Sequence, residues 1–426
     1  MKKKRKRGEP APVQELLVPE GQIHRRLWLT VLAIVVAIGA FAFGISQLVR
    51  AIKDDNEVWV MVRSDRYGEG NGDGSELLFQ YDLSAGEGST NTKKKTVIAA
   101  YTELCSRAEA LFGAESEDGS VRGLAWLSRH PNETATVDPA LYQALRLLMQ
   151  AGDRTVFLAP LRADYTNLFL ADDELTAATY DPLTAPDAVA FREEVMRYAA
   201  DADAIDLRLG EDGTVCLAVS DAYLAWAEAN GVTTLLDLFW LKNAFVVDFV
   251  ADGLTERGLT YGAISSYDGF TRCLDVTRTL TYGQNLTDRT GGKTYTAAEL
   301  QYSGRMTVVT MRSYRLYEWD RFSCREMADG SARTLYLDPR DGICRSGEGT
   351  LLAASRTGSC AETALKLAPI WIADAVDLPA LRDLATDDLD CFYVAERTIR
   401  FTSQKLLRLL SLYEDGTVRY GAEELK

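Results

Sequence analysis

Few side chains in this sequence have the type and spacing that catalysis demands. Histidine occurs only at His24 and His130. The body of the chain therefore holds one imidazole, His130, for any Ser-His or Cys-His arrangement, and too few for a multi-His metal centre. His130, followed by Pro131 and Asn132, is expected in an exposed loop. The seven cysteines, at 105, 216, 273, 324, 344, 360 and 391, contain no CxxC pair. They suggest neither a zinc site nor a disulfide framework, and most are expected to act as small buried apolar residues, with one oxidised pair still allowed. Gly292-Lys293-Thr294 ends like a nucleotide P-loop, but Thr287 stands where that motif needs its first glycine. The clusters Asp172-Asp173-Glu174 and Asp387-Asp388-Asp390 read as solvated loop charges. Residues 64–76, rich in Gly and Asp, lack the ordered spacing of a calcium loop. The segment Leu335–Gly342 (LYLDPRDG) is more suggestive, because its strand ends in a tight Asp338-Pro339-Arg340 turn. The backbone amides and guanidinium of that turn are the right groups to face a phosphate.

The elements that position such residues are marked by apolar periodicity and caps. The densest core signal runs from Leu235 to Gly269. An apolar entry, Leu235–Leu241, leads into helical spacing at Phe245, Val246, Phe249, Val250 and Leu254. Gly258 stands where the helix stops, and a strand is expected over 260–267. Strands are expected at 58–63 and 77–83, and a helix over 92–111. Asp138-Pro139 opens a helix that Gly152 closes, and Pro186 starts another through Ala200. Residues 204–209 and 214–219 read as a hairpin, and Ser220 caps a helix that ends at Gly231. Hairpins with helices inserted between them predict an α+β fold rather than a βαβ repeat.

The chain has 426 residues and a formal charge of −15. Residues 1–53 carry ten Lys and Arg against three Glu, so the remaining 37 basic residues face 59 acidic ones, a balance of −22. An acidic body disfavours nucleic acid as a partner. Residues 27–49 form 23 uncharged residues behind a basic leader, Lys2–Arg7 with Arg25 and Arg26. That length suits a membrane-spanning helix with its basic flank in the cytoplasm. A cleaved signal peptide has a shorter apolar region and a small-x-small site beyond it, and SQLVRAIKDD offers none. The expectation is a basic cytoplasmic segment (1–26), a single transmembrane helix (27–49), a linker with a first strand (50–76), and one large extracytoplasmic domain (77–426).

The order of three segments, the central stretch, Leu335–Gly342 and Ser359–Ala368, resembles that of the FAD:protein FMN transferases, the ApbE-like family. The resemblance covers about residues 77–415, starting with the Phe112–Arg122 run and the helix after Val137-Asp138. Where the family reads Leu-Asp-Leu-Gly-Gly-Ile-Ala-Lys-Gly-Tyr-Ala-Val-Asp, this chain reads Leu236-Asp-Leu-Phe-Trp-Leu-Lys-Asn-Ala-Phe-Val-Val-Asp248. Leu236, Asp237, Leu238, Val247 and Asp248 coincide. The glycine pair is replaced by Phe239 and Trp240, the lysine by Asn243 with Lys242 one step off, and the next glycine by Ala244. Downstream, Gly-Gly-Asp becomes Ser266-Tyr267-Asp268, the Thr-Ser-Gly-Asp-Tyr run ends at Tyr314, and the histidine before Asp-Pro becomes Leu335. Glu362–Leu367 stands for the metal motif, so its Asp and Thr become Thr363 and Leu367.

The resemblance implies an ApbE-like flavin transferase fold in a single large domain, with FAD and Mg2+ as the family's cofactors. It implies Asp268 and Lys242 as catalytic candidates, Asp237, Asn243, Tyr314, Asp338 and Arg340 as cofactor contacts, and Glu362 with Thr363 as metal-side residues. Bulky side chains at a glycine pair oppose close approach of a flavin or phosphate. A one-residue shift turns a helical side chain by about 100°, so Lys242 is not expected to substitute directly. Leucine offers no oxygen to a hard cation. The reading is a membrane-anchored protein of this fold that has lost transferase activity and serves in binding or scaffolding, with an extracytoplasmic protein as a partner. The alternatives are an active transferase with a site rearranged around Lys242, Asp268, Asp338 and Glu362, and a structural role in which the cleft is filled core.

Overall fold

The computed structural model describes residues 59–63, 77–116, 119–275, 280–317 and 320–426. The expected transmembrane helix at 27–49 lies outside these, and none of the helices they form is long and apolar enough to cross a membrane.

A nine-stranded sheet organises the chain, in the order Trp59–Arg63, Leu77–Asp82, Gly262–Ser266, Phe270–Cys273, Met306–Arg312, Thr350–Ser355, Leu389–Ala395, Thr398–Phe401 and Gly421–Glu424. Neighbouring strands are antiparallel except the last two. The central strands are buried almost throughout because each face meets a core, and the alternation of side chains divides every strand between the two. Leu351 and Ala353 join the core formed with helices Thr90–Phe112, Lys242–Glu256 and Cys360–Trp371. Leu352 and Ala354 join a second core with Tyr282, Leu286 and Leu300. Those three come from a three-stranded sheet ordered Arg408–Leu412, Lys293–Ser303, Thr281–Thr290. A third sheet of Thr134–Thr136, Thr214–Val219 and Ile205–Leu209 carries the expected hairpin.

Most expected boundaries hold. Asp138 caps the Pro139–Ala151 helix through Ala140 N, and Gly152 ends it in the left-handed region. Ser220 caps Asp221–Ala229, and the helix from Pro186 ends at Ala200. The apolar entry differs from a simple lead-in. Its last three residues, Phe239–Leu241, form a single 3₁₀ turn that runs straight into the Lys242–Glu256 helix. The returning strand is Gly262–Ser266, paired with Leu77–Asp82. Gly269, at φ 115°, turns the chain into the next strand where an added Cβ would lie 2.0 Å from the Thr310 carbonyl oxygen, so only glycine fits.

The P-loop likeness dissolves into a hairpin. Gly291 and Gly292, at φ 57° and 76°, form its two-residue turn, the left-handed pair such turns require. Two sequence readings need correction. Asp390 is not a solvated charge: it is buried and accepts from Leu406 N (2.6 Å) and Leu407 N (3.0 Å). His130 is half-buried, its ring stacked on Trp126 at 4.2 Å.

Candidate functional site

The site grows from Asp237. Its carboxylate is buried, accepts from Phe239 N at 2.7 Å and pairs with Arg162 at 2.6 Å. One side chain thus fixes the start of the 3₁₀ turn and joins it to the Arg162–Leu170 helix. The turn gives Phe239 a φ of 48°, a region natural to glycine and costly for a side chain with a Cβ. The backbone here keeps a conformation suited to glycine while carrying phenylalanine. Trp240 is buried, with its ring edge-on to Tyr336 at 5.5 Å.

Phe239 and Trp240 wall a cavity of about 120 Å³, together with Tyr165, Phe169 and Phe322. Its polar lining includes Arg162, Lys242, Asn243, Asp268 and Asp320. Lys242 opens the helix and pairs with Glu109 at 3.2 Å. Asn243, one step on, is buried and donates to Asp268 Oδ2 at 2.8 Å. Both therefore reach one cavity despite the helical rotation between them, because Lys242 is long and stands at the end of the turn. Asp268 Oδ1 is buried and meets no hydrogen-bond partner among the described residues. Burial raises the Asp268 carboxyl to about 6, against the lowering influence of Ser266 and Asn243. Asp320 is also raised by burial.

The remaining candidates lie elsewhere. Tyr314 donates to Thr287 Oγ1 at 3.0 Å and lines a separate, wider groove of about 750 Å³. The Asp338 turn does not present its groups to a phosphate. Arg340 folds back on Asp338, with Nε to Oδ1 at 2.9 Å and Nη2 to Oδ2 at 2.7 Å. Arg340 N also donates to Asp338 Oδ1 at 2.9 Å, and the carboxylate is buried. Leu335 before the turn and Cys344 after it line the cavity, and the Tyr165 hydroxyl ties the turn to it, donating to Gly342 O (2.7 Å) and accepting from Cys344 N (3.0 Å).

The residues present do not suit Mg2+. Glu362 Oε2 accepts from Ser359 N at 3.0 Å in a capping box, Thr363 is buried, and Leu367 is fully buried. No cluster of three or more His, Cys, Asp or Glu that could hold a metal occurs among the described residues. Asp248 instead receives Cys360 N (2.8 Å), Ala361 N (2.9 Å) and Arg272 Nη1 (2.7 Å), tying the helix start to the central helix. FAD does not suit the cavity either, since pockets for drug-sized ligands run to about 300–1,000 Å³ and this one has about 120 Å³.

Sequence reading missed Arg162, Tyr165, Phe169, Asp320 and Phe322. They come from segments remote along the chain, and only the nearly uniform apolar run before Arg162 hinted at burial.

No sequence-family model matches the chain, and no curated protein matches it significantly. Solved structures do. A mutant of the flavin transferase ApbE from Vibrio cholerae is 12% identical over 83% of this chain and 96% of its own, with a TM-score of 0.47. The ApbE protein from Thermotoga maritima is 13% identical over 79% of this chain and 94% of its own, with a TM-score of 0.51. The second likeness is one of architecture, and by it the chain has the ApbE-like flavin transferase fold.

Proposed function

We propose that this protein is a flavin-transferase-fold binding protein without FMN transferase activity, anchored in the membrane by residues 27–49 with its body outside the cytoplasm. The carrying observation is the Phe239-Trp240 pair, which walls the cavity to about 120 Å³ while the turn beneath keeps φ 48°. The oxygen-poor Glu362–Leu367 segment supports the same reading. An extracytoplasmic protein is the proposed partner of the anchored body. An active transferase using Lys242, Asp268, Asp338 and Glu362 is less well supported. Lys242 and Asp268 share the cavity, but Asp338 is engaged by Arg340 and Glu362 by its helix cap.

The test is incubation of the purified chain with FAD, Mg2+ and a flavin-acceptor protein, followed by in-gel flavin fluorescence and mass spectrometry. No FMN adduct is expected. Stoichiometric transfer to a Ser or Thr of the acceptor overturns the reading.

A further inference from the structure

The cavity combines aromatic walls with buried carboxyls. Five aromatic side chains wall it, and two carboxyls, Asp268 and Asp320, stand in its lining. Its two cations are already engaged, Arg162 with Asp237 at 2.6 Å and Lys242 with Glu109 at 3.2 Å. Asp268 Oδ1 stays buried with no hydrogen-bond partner among the described residues. A buried carboxylate oxygen is stable when it accepts a hydrogen bond or faces a positive charge. Aromatic faces attract a desolvated cation through their quadrupole, and they suit an organic cation better than a strongly hydrated metal ion.

We propose that this cavity binds a small organic cation, an amidinium, guanidinium or protonated amine on a body of about one ring, with its N–H groups directed to Asp268. This deepens the binding-protein reading and rests on it. An engineered apolar cavity of about 150 Å³ accepts benzene, and this one, at about 120 Å³, admits the cationic group and part of a ring, with the rest of the ligand extending out of the cavity. Asn243 donates to Asp268 Oδ2 at 2.8 Å, Ser266 stands close by with its hydroxyl bonded to the Phe270 main chain, Asp320 bears on Asp268 as a like charge, and Tyr336 lies beside it. Arg312 and Arg315 act on Asp320 and oppose its rise. Asp268 titrates at about 6, so the site carries its charge at neutral pH and loses it in mild acid. The cation should bind more tightly above that point.

Titrating benzamidine, benzamide and benzoate calorimetrically against the full chain in detergent tests this. Benzamidine is expected to bind saturably at pH 8, at least tenfold tighter than benzamide, with the preference shrinking toward pH 5. Asp268→Asn should abolish the preference and Asp320→Asn should weaken it. Equal affinity for benzamide or benzoate, or a preference insensitive to both pH and Asp268→Asn, overturns the proposal. If a variant fails to fold, the pH dependence of the unaltered chain decides. The flavin-transfer assay on the same sample separates the two readings. FMN transfer to the acceptor overturns the underlying reading, whereas absence of transfer together with no saturable benzamidine binding overturns the cation proposal alone.

Discussion

Asp268 and Phe239 are residues whose local chemistry is uncomfortable, and both border the same space. Burial raises Asp268 to about 6, above the ordinary carboxylate value of about 3.9. A carboxyl raised on folding contributes its stability below the unfolded value and loses it as pH rises through the folded one. Between about pH 4 and 6 the native state should therefore lose at most about 3 kcal/mol from this group. Asp268→Asn should remove that slope, so thermal unfolding should show the variant gaining on the parent as pH climbs to 7. Parallel curves would refute the assignment. Phe239, at φ 48°, gives a second prediction. Phe239→Gly should be more stable than Phe239→Ala by about 1 kcal/mol, because only glycine relieves the backbone while both remove the ring. Equal urea midpoints would remove the strain argument. Neither feature was legible beforehand in full. The replacement of a glycine pair by Phe239-Trp240 was visible, whereas the left-handed backbone at Phe239 was not, since sequence names the side chain and not the dihedral. The Asp338 turn misled for a related reason: no spacing rule shows that Arg340 turns back on a carboxylate two residues earlier.

Among the elements, those defined by local signals were readable and those defined by distant contacts were not. Helices opened by Asp138 and Ser220 carry their caps in sequence, where hydrogen bonds two or three residues away set the ends, and the Pro186 helix starts with proline at its first position. The cavity instead joins the Arg162–Leu170 helix, the 3₁₀ turn with the helix start after it, the Asp268 turn, residues 320–323, and Leu335 with Cys344. No periodicity relates those segments. The Asp268 turn rests on Gly269, whose added Cβ would meet the Thr310 oxygen at 2.0 Å. Gly269→Ala should cost several kcal/mol, roughly the upper range of single-site effects, and should shift Asn243 side-chain resonances as well as the unfolding midpoint. A loss under 1 kcal/mol would show that the turn yields easily. The buried pair Asp181–Arg333, at 2.9 Å, makes a comparable claim for the strand at Ala332–Thr334. Asp181→Ala leaves a buried guanidinium without its carboxylate, a change that costs about 3–5 kcal/mol, measurable by denaturant unfolding.

For the whole molecule, the fold class was legible because hairpins and inserted helices alternate in sequence, and the three-layer arrangement explains why the central strands lack a solvent-exposed face. Leu351 and Leu352 serve different cores, so either change to Ala should destabilise by about 2–5 kcal/mol. The anchor is testable independently of the fold. The full chain should resist alkaline carbonate extraction from membranes, and a chain beginning after residue 53 should be released. Protease added to intact cells or spheroplasts should reach the acidic body only if it lies outside. Recovery of the full chain in the soluble fraction would refute the anchor.

The Tyr165 hydroxyl sets a limit on everything the cavity can accept. Its ring is wall, yet its oxygen ties Gly342 O to Cys344 N, so the ring cannot swing aside like a surface side chain. A guest wide enough to displace it must also break two main-chain connections and loosen the Asp338 turn. The upper size of the guest is thus written into the backbone, and selection for a bulkier ligand would have to rebuild a loop before it could trim a side chain.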